Sequence, residues 1–121
     1  MNAYIGGCYP LCALNKRIDK KITSRIGNTC DAGVTQIVIG PNGDIRPCVS
    51  YDFVIGNIFK DNLKELWKNS PFLKKLRRME NIPKKCIKCK HLSICRGGCR
   101  ASAYNYYKKL NALHPLLILR K

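Results

Sequence analysis

The chemistry of this chain rests on its thiols, which number 8 in 121 residues. Cys86, Cys89, Cys95 and Cys99 fall within 14 residues as Cys-x2-Cys-x5-Cys-x3-Cys, with Arg96, Gly97 and Gly98 between the last two. A two-residue gap lets one tight turn present two thiolates to a metal centre and brings backbone N–H groups towards the sulfurs. Four such ligands in so short a stretch predict a metal site. Zinc ribbons offer two similar knuckles, whereas here one knuckle is followed by uneven gaps, which suits a bulkier cluster or ligands shared between sites. Iron–sulfur chemistry therefore ranks above a structural zinc. Cys30 and Cys48 flank Gly43, and Cys8 and Cys12 lie near the amino end.

The compartment follows from the same thiols. The first eight residues carry no positive charge ahead of their apolar stretch and no long hydrophobic run after it, so a secretory signal is not expected. No segment reaches the roughly 18 to 20 apolar residues of a membrane span. A reducing cytoplasm is the expected setting, and there cysteines serve as metal ligands more often than as disulfides.

Composition bounds what these ligands must hold together. The chain has 23 Lys and Arg against 7 Asp and Glu, a formal charge of +16, with 45% hydrophobic residues. It is too apolar for a disordered basic tail, so one domain with some core is expected. A chain of this length buries a limited share of its surface, and a metal staple is the natural supplement.

The elements that position the cysteines are partly legible. Residues 1–29 show no sustained periodicity and read as an irregular lead-in. Thr-Gln-Ile-Val-Ile at 35–39, the turn Gly-Pro-Asn-Gly43 and Asp-Ile-Arg-Pro-Cys48 predict a β-hairpin that carries Cys30 and Cys48 towards each other. Asn62 with Glu65 three places on opens a short amphipathic helix through Trp67. Ser70-Pro71 starts another to about residue 79, with Phe72, Leu73 and Leu76 as its apolar stripe. Trp67, Phe72 and Leu76 are expected in the core. Residues 100–109 read as a final helix, which leaves the cysteine-rich loop between two helices. The fold class is α+β, small and irregular: a β-hairpin plus short helices around a cysteine-rich metal-cluster loop.

Together these residues resemble a known family. Cys30-x12-Gly43-x4-Cys48, then Cys86-x2-Cys89-x5-Cys95-x3-Cys99, is similar to the SPASM domain, the auxiliary-cluster module of radical SAM enzymes that mature peptides and modify proteins. The likeness includes Pro41-Asn-Gly-Asp-Ile-Arg-Pro-Cys48, Ile55-Gly-Asn-Ile58, Leu66-Trp67 and Cys95-Arg-Gly-Gly-Cys-Arg-Ala101. The resemblance implies a SPASM-like domain over 30–117, followed by a tail at 118–121.

It also implies one or two 4Fe-4S clusters. By likeness, Cys30, Cys48 and Cys99 bind the first cluster, and Cys86, Cys89 and Cys95 the second. Each set is one ligand short. Cys12 or Cys8 is expected to complete the first, with Cys12 preferred. For the second, the family pattern ends in Asp-Pro-x-Cys, and the matching stretch here is His114-Pro115-Leu116-Leu117. Three outcomes follow: an open iron site, substitution by His114 or by the spare one of Cys8 and Cys12, or loss of the module's end. His91 and His114 are otherwise read as surface or satisfied imidazoles.

The radical step needs Cys-x3-Cys-x2-Cys to hold the cluster that binds S-adenosylmethionine. Here Cys8-x3-Cys12 is followed by Asn15 and Cys95-x3-Cys99 by Ser102, so no such site is expected within these residues. A barrel domain also needs roughly 200 residues or more. The chain is therefore expected not to be catalytic alone. It is read as an electron-transfer and substrate-positioning module, working with a radical SAM barrel domain or chain and its peptide or protein substrate. The alternative is a zinc-stabilised nucleic-acid-binding module, because 15 of the 23 basic residues fall in 60–109 beside Tyr104, Tyr106 and Tyr107. A solvated lysine-rich surface explains that charge more simply, and neither nucleic acid nor membrane is an expected partner.

Overall fold

A computed structural model describes residues 7–13, 30–78 and 80–119. The chain forms two compact units, one of Met1–Cys30 with Ile82–Lys121 and one of Asp31–Asn81. A small antiparallel sheet with several short helices makes this the irregular α+β class that the sequence predicts. The expected lead-in is described only at 7–13; residues 14–29 lie outside the described part.

The Asp31–Asn81 unit holds the sheet. Strands β1 (Val38–Ile39), β2 (Asp44–Arg46) and β3 (Gly56–Asn57) pair in that order. Both pairings are antiparallel, with Ile45 opposite Ile39 on one side and Gly56 on the other. The hairpin turns where its sequence says it should. Gly43 takes φ +85°, and a Cβ there would stand 2.6 Å from the Phe59 ring, so glycine is required twice over.

The strands are shorter than the alternation suggests. The Asp31 carbonyl accepts the N–H groups of Val34 and Thr35 at 3.0 and 3.1 Å, which folds that stretch into a turn before β1 can begin. Pro47 has no N–H with which to extend β2. The third strand is an addition to the expected hairpin, and side chains hold it in place. Asn57 donates to the Asn42 carbonyl and to Asp44 Oδ1, both at 3.1 Å, while its own N–H donates to Asp61 Oδ2 at 2.7 Å. Asn42 and Asp44 bond each other across the turn. The Pro41-Asn-Gly-Asp and Ile55-Gly-Asn-Ile segments are thus two halves of one hydrogen-bonded corner.

Helices α1 (Leu63–Asn69) and α2 (Pro71–Arg77) complete this unit. Asn62 caps α1 by accepting the Glu65 N–H at 3.1 Å, and Ser70 caps α2 through Leu73. The unit's core is Ile45, Tyr51 and Leu73, each fully buried, with Leu76 and Ala32. Of the expected core aromatics, Phe72 and Trp67 are half-buried. Phe72 stacks on Phe53 at 4.5 Å and meets Tyr51 edge-on. Trp67 lies under the Arg77 guanidinium at 4.3 Å, which also donates to the carbonyls of Gly33 and Trp67.

The other unit is built from short turns of helix. It contains 3-10 turns at Leu11–Ala13 and Lys84–Cys86, then α3 (Leu92–Cys95), α4 (Arg100–Tyr107) and α5 (Pro115–Leu119). Helix α4 is the one expected at 100–109, stopped at Lys108 by a left-handed φ of 55°. It is not the last. The apolar run after Pro115 forms α5, begun by proline at the first position and by His114 Nδ1, which accepts the Leu116 N–H at 3.2 Å. Helix α5 packs against α4 and the Leu11–Ala13 turn. Among the described residues no helix is long and apolar enough to cross a membrane.

Candidate metal centre

The cysteine-rich loop is a chain of tight turns, each closed by a backbone hydrogen bond. The Cys86 N–H donates to Pro83 O at 2.8 Å, Cys89 to Cys86 O at 3.0 Å, and Leu92 to Cys89 O at 3.0 Å. The two-residue gap between Cys86 and Cys89 is therefore one turn. Helix α3 carries Cys95 and ends in three successive left-handed residues, Arg96, Gly97 and Gly98, at φ 47°, 82° and 80°. That reversal places Cys99 as the cap of α4.

Backbone donors already point at sulfur. His91 donates to Cys89 Sγ, Leu11 to Cys95 Sγ and Ser102 to Cys99 Sγ, each at 3.4 Å. N–H groups at sulfur are a recurring feature of the ligand surroundings of iron–sulfur clusters.

Four thiols share one small cavity. Cys12, Cys86, Cys89 and Cys95 line it, with Leu92 and Leu117 among the apolar residues of its wall. Among the described residues no three Cys, His, Asp or Glu side chains converge tightly enough to hold a single metal ion. The thiols instead stand around the cavity. His91 lines the cavity as well; a donor set dominated by sulfur on a largely apolar wall matches the ligand chemistry of an iron–sulfur cluster.

The predicted ligands divide as follows. Cys86, Cys89 and Cys95, assigned to one cluster, line this cavity together, and Cys99 caps the start of α4. Cys8 and Cys30 are half-buried in the same unit. Cys48 belongs to the Asp31–Asn81 unit, in the turn closed by the Tyr51 N–H on Cys48 O. Cys12, expected to complete the first set or, as the spare of Cys8 and Cys12, the second, lines the cavity with Cys86, Cys89 and Cys95. Leu117, at the position where the family pattern has a cysteine, faces the same cavity.

The electrostatics contain a residue that sequence reasoning passed over. Arg100 is buried, with 1% exposure, and its guanidinium donates to four carbonyls: Gly97 and Gly98 in the loop, Leu110 and Ala112 beyond α4. Burial pushes the Cys86 thiol above its usual value; Arg100 pulls it back, and Cys12, Cys95 and Cys89 push it up again. The cation helping Cys86 is thus the buried arginine, whereas Lys84, Lys85, Lys88 and Lys90 are exposed. The only hint was Arg100's place beside Cys99 in the motif.

His114 is buried too, and burial, reinforced by Arg100, lowers its pKa from 6.5. The folded chain therefore holds fewer protons than the unfolded chain just below pH 6.5, and stability falls as pH drops through that range. Protonation of Nδ1 would also set N–H against the Leu116 N–H. His114→Asn is expected to flatten the fall in thermal midpoint between about pH 7.5 and 5.5. Equal slopes in the two proteins would contradict this.

Comparison with known proteins defines the class first: an iron–sulfur cluster-binding domain, matched over residues 30–90. The chain belongs to the SPASM family. It is 32% identical over 87 residues to the AdoMet-dependent heme synthase of Nitratidesulfovibrio vulgaris, covering 72% of this chain and 23% of that protein. It is 36% identical over 89 residues to the antilisterial bacteriocin subtilosin biosynthesis protein AlbA of Bacillus subtilis, covering 66% of this chain and 19% of that one. A cysteine-type anaerobic sulfatase-maturating enzyme of Clostridium perfringens is 28% identical over 86 residues, covering 69% of this chain and 22% of the enzyme. The chain thus spans about a fifth of the length of the relatives it matches. No solved structure gives a significant match. These likenesses support the iron–sulfur reading over a zinc-stabilised nucleic-acid module.

Proposed function

We propose that the chain is an electron-transfer and substrate-positioning module with two 4Fe-4S clusters, serving a radical SAM barrel domain or chain that acts on a peptide or protein. Cys86, Cys89 and Cys95 hold one cluster; Cys30, Cys48 and Cys99 hold the other. The observation that carries this reading is the grouping of Cys86, Cys89 and Cys95 on one cavity within a chain of an iron–sulfur family. The relatives, a heme synthase, a bacteriocin biosynthesis protein and a sulfatase-maturating enzyme, support a modification enzyme as the setting. A cytoplasmic location and the lack of an S-adenosylmethionine site in these 121 residues belong to the same proposal.

A bound cluster of this type supplies one-electron redox chemistry. The residues of the chain hold the sulfurs in register, donate N–H bonds to three of them, and oppose the negative charge with the buried Arg100. Anaerobic reconstitution with iron and sulfide is expected to load about eight irons per chain, with low-temperature EPR signals of reduced 4Fe-4S clusters. Stoichiometric zinc without iron would overturn the proposal.

A further inference from the structure

The second cluster lacks one ligand in the family pattern, because Leu117 stands where a cysteine is expected. Leu117 faces the cavity that Cys86, Cys89 and Cys95 line, and Cys12 lines the same cavity from the amino-terminal side. The position of Cys12 is built from several contacts. Pro10, fully buried, lies against Gly98, where a Cβ would come within 2.8 Å of the proline Cδ and N. Gly98, at φ +80°, allows this approach between the Pro10 turn and the loop. The Leu11 N–H donates to Cys95 Sγ at 3.4 Å, and the Ala13 N–H closes the turn on Pro10 O at 2.9 Å. Cys12 therefore sits on a short turn tied at both ends, one tie being to a ligand sulfur.

We propose that Cys12 is the fourth ligand of the cluster held by Cys86, Cys89 and Cys95, replacing from the amino-terminal side the cysteine missing at Leu117. This rests on the proposed cluster binding and completes the donor set of that site. Its consequence is chemical. With four thiolates the cluster has no iron open to an exogenous ligand, so this site carries electrons and does not bind substrate at iron. Cys12 is one of only two exposed thiols among the eight, so its modification can be followed directly.

The test uses the full chain, reconstituted anaerobically, and reads cysteine alkylation by mass spectrometry. A Cys48→Ser chain removes a ligand of the other cluster, so any protection of Cys12 there comes from the site proposed here. Cys12 is expected to be alkylated at least about tenfold more slowly in the iron-loaded Cys48→Ser chain than in its iron-free form, in step with Cys86, Cys89 and Cys95. Rapid labelling of Cys12 while those three stay protected would overturn the inference. The second arm is rescue. Cys12→Ser is expected to leave an iron that binds added cyanide, with a changed EPR spectrum, and Leu117→Cys in that background is expected to restore the parent spectrum. A Cys12→Ser protein with the parent's iron content, the parent's spectrum and no response to cyanide would also overturn it. If the unsubstituted chain takes up no iron, the proposed function itself fails, and that result is distinct from either of these.

Discussion

Removal of iron from the loaded chain, by a chelator under reducing and anaerobic conditions, is expected to unfold the unit that carries the cysteine-rich loop and to leave the Asp31–Asn81 unit folded. The two units have very different cores. In Asp31–Asn81, Ile45, Tyr51, Leu73 and Leu76 are buried together, two of them donated by a capped helix. Among the described residues of the other unit, the buried apolar side chains are Ile82, Ala101, Ala103 and the prolines Pro10 and Pro83.

Alanines and prolines bury little area, and at about 25 cal/mol per Å² they cannot offset the entropy of ordering the loop. Structural metals in small domains contribute on the order of 10 kcal/mol, as much as a whole domain's stability. Hydrogen–deuterium exchange should therefore accelerate by orders of magnitude across residues 84–107 when iron is lost, and change little around Ile45 and Leu73. Unchanged protection in 84–107 would show that the polypeptide holds this loop unaided.

Arg100→Met is expected to be the most damaging single substitution outside the ligands, costing about 4 kcal/mol or more of stability in the loaded protein. Among the described residues Arg100 is the largest fully buried side chain, and it fills that place with a guanidinium. Its described bonds run to Leu110 O at 2.9 Å, Ala112 O at 2.7 Å, Gly98 O at 3.3 Å and Gly97 O, tying the segment after α4 back to the loop before it. A methionine of similar reach leaves those carbonyls without this donor and removes the positive charge that opposes the clustered thiolates. Each buried carbonyl left without a partner costs about 1 to 3 kcal/mol.

Arg100→Lys should recover only part of the loss, about half, because an ammonium has three donors at one point where a guanidinium has five spread over a plane. Denaturant midpoints of the iron-loaded proteins, taken anaerobically, measure both effects. A midpoint for Arg100→Met equal to the parent's would mean that water satisfies these carbonyls and that the charge is immaterial.

Much of this molecule is local, and the local part is legible before any coordinates. Asn62 and Ser70 each announce a helix start because a short polar side chain followed by the right residues caps its own backbone, and both caps form. The turn at Gly43 announces itself because few residues tolerate its φ. The spacing of Cys86 and Cys89 predicts a tight turn, and one forms. Where local signals stop, so does the reading. The two-residue strand at Gly56 has no alternation to detect, since its place is set by Asn57 bonding to Asn42 and Asp44. The run after Pro115 gave no periodicity long enough to separate a helix from a tail.

The sequence by itself determined the chemistry: the thiols, their order and their spacing identify an iron–sulfur domain, because ligand spacing is a local property that survives any arrangement of the rest. Only the tertiary structure decided which thiols meet. Cys12 is separated from Cys86 by more than 70 residues, and nothing in its neighbours says which group it joins. Contacts at a distance bring it to the cavity that Cys86, Cys89 and Cys95 line, through Pro10 against Gly98 and the Leu11 N–H on Cys95. The same holds for Arg100, which reads as one more surface cation in a basic chain until four carbonyls from two separate segments close around it.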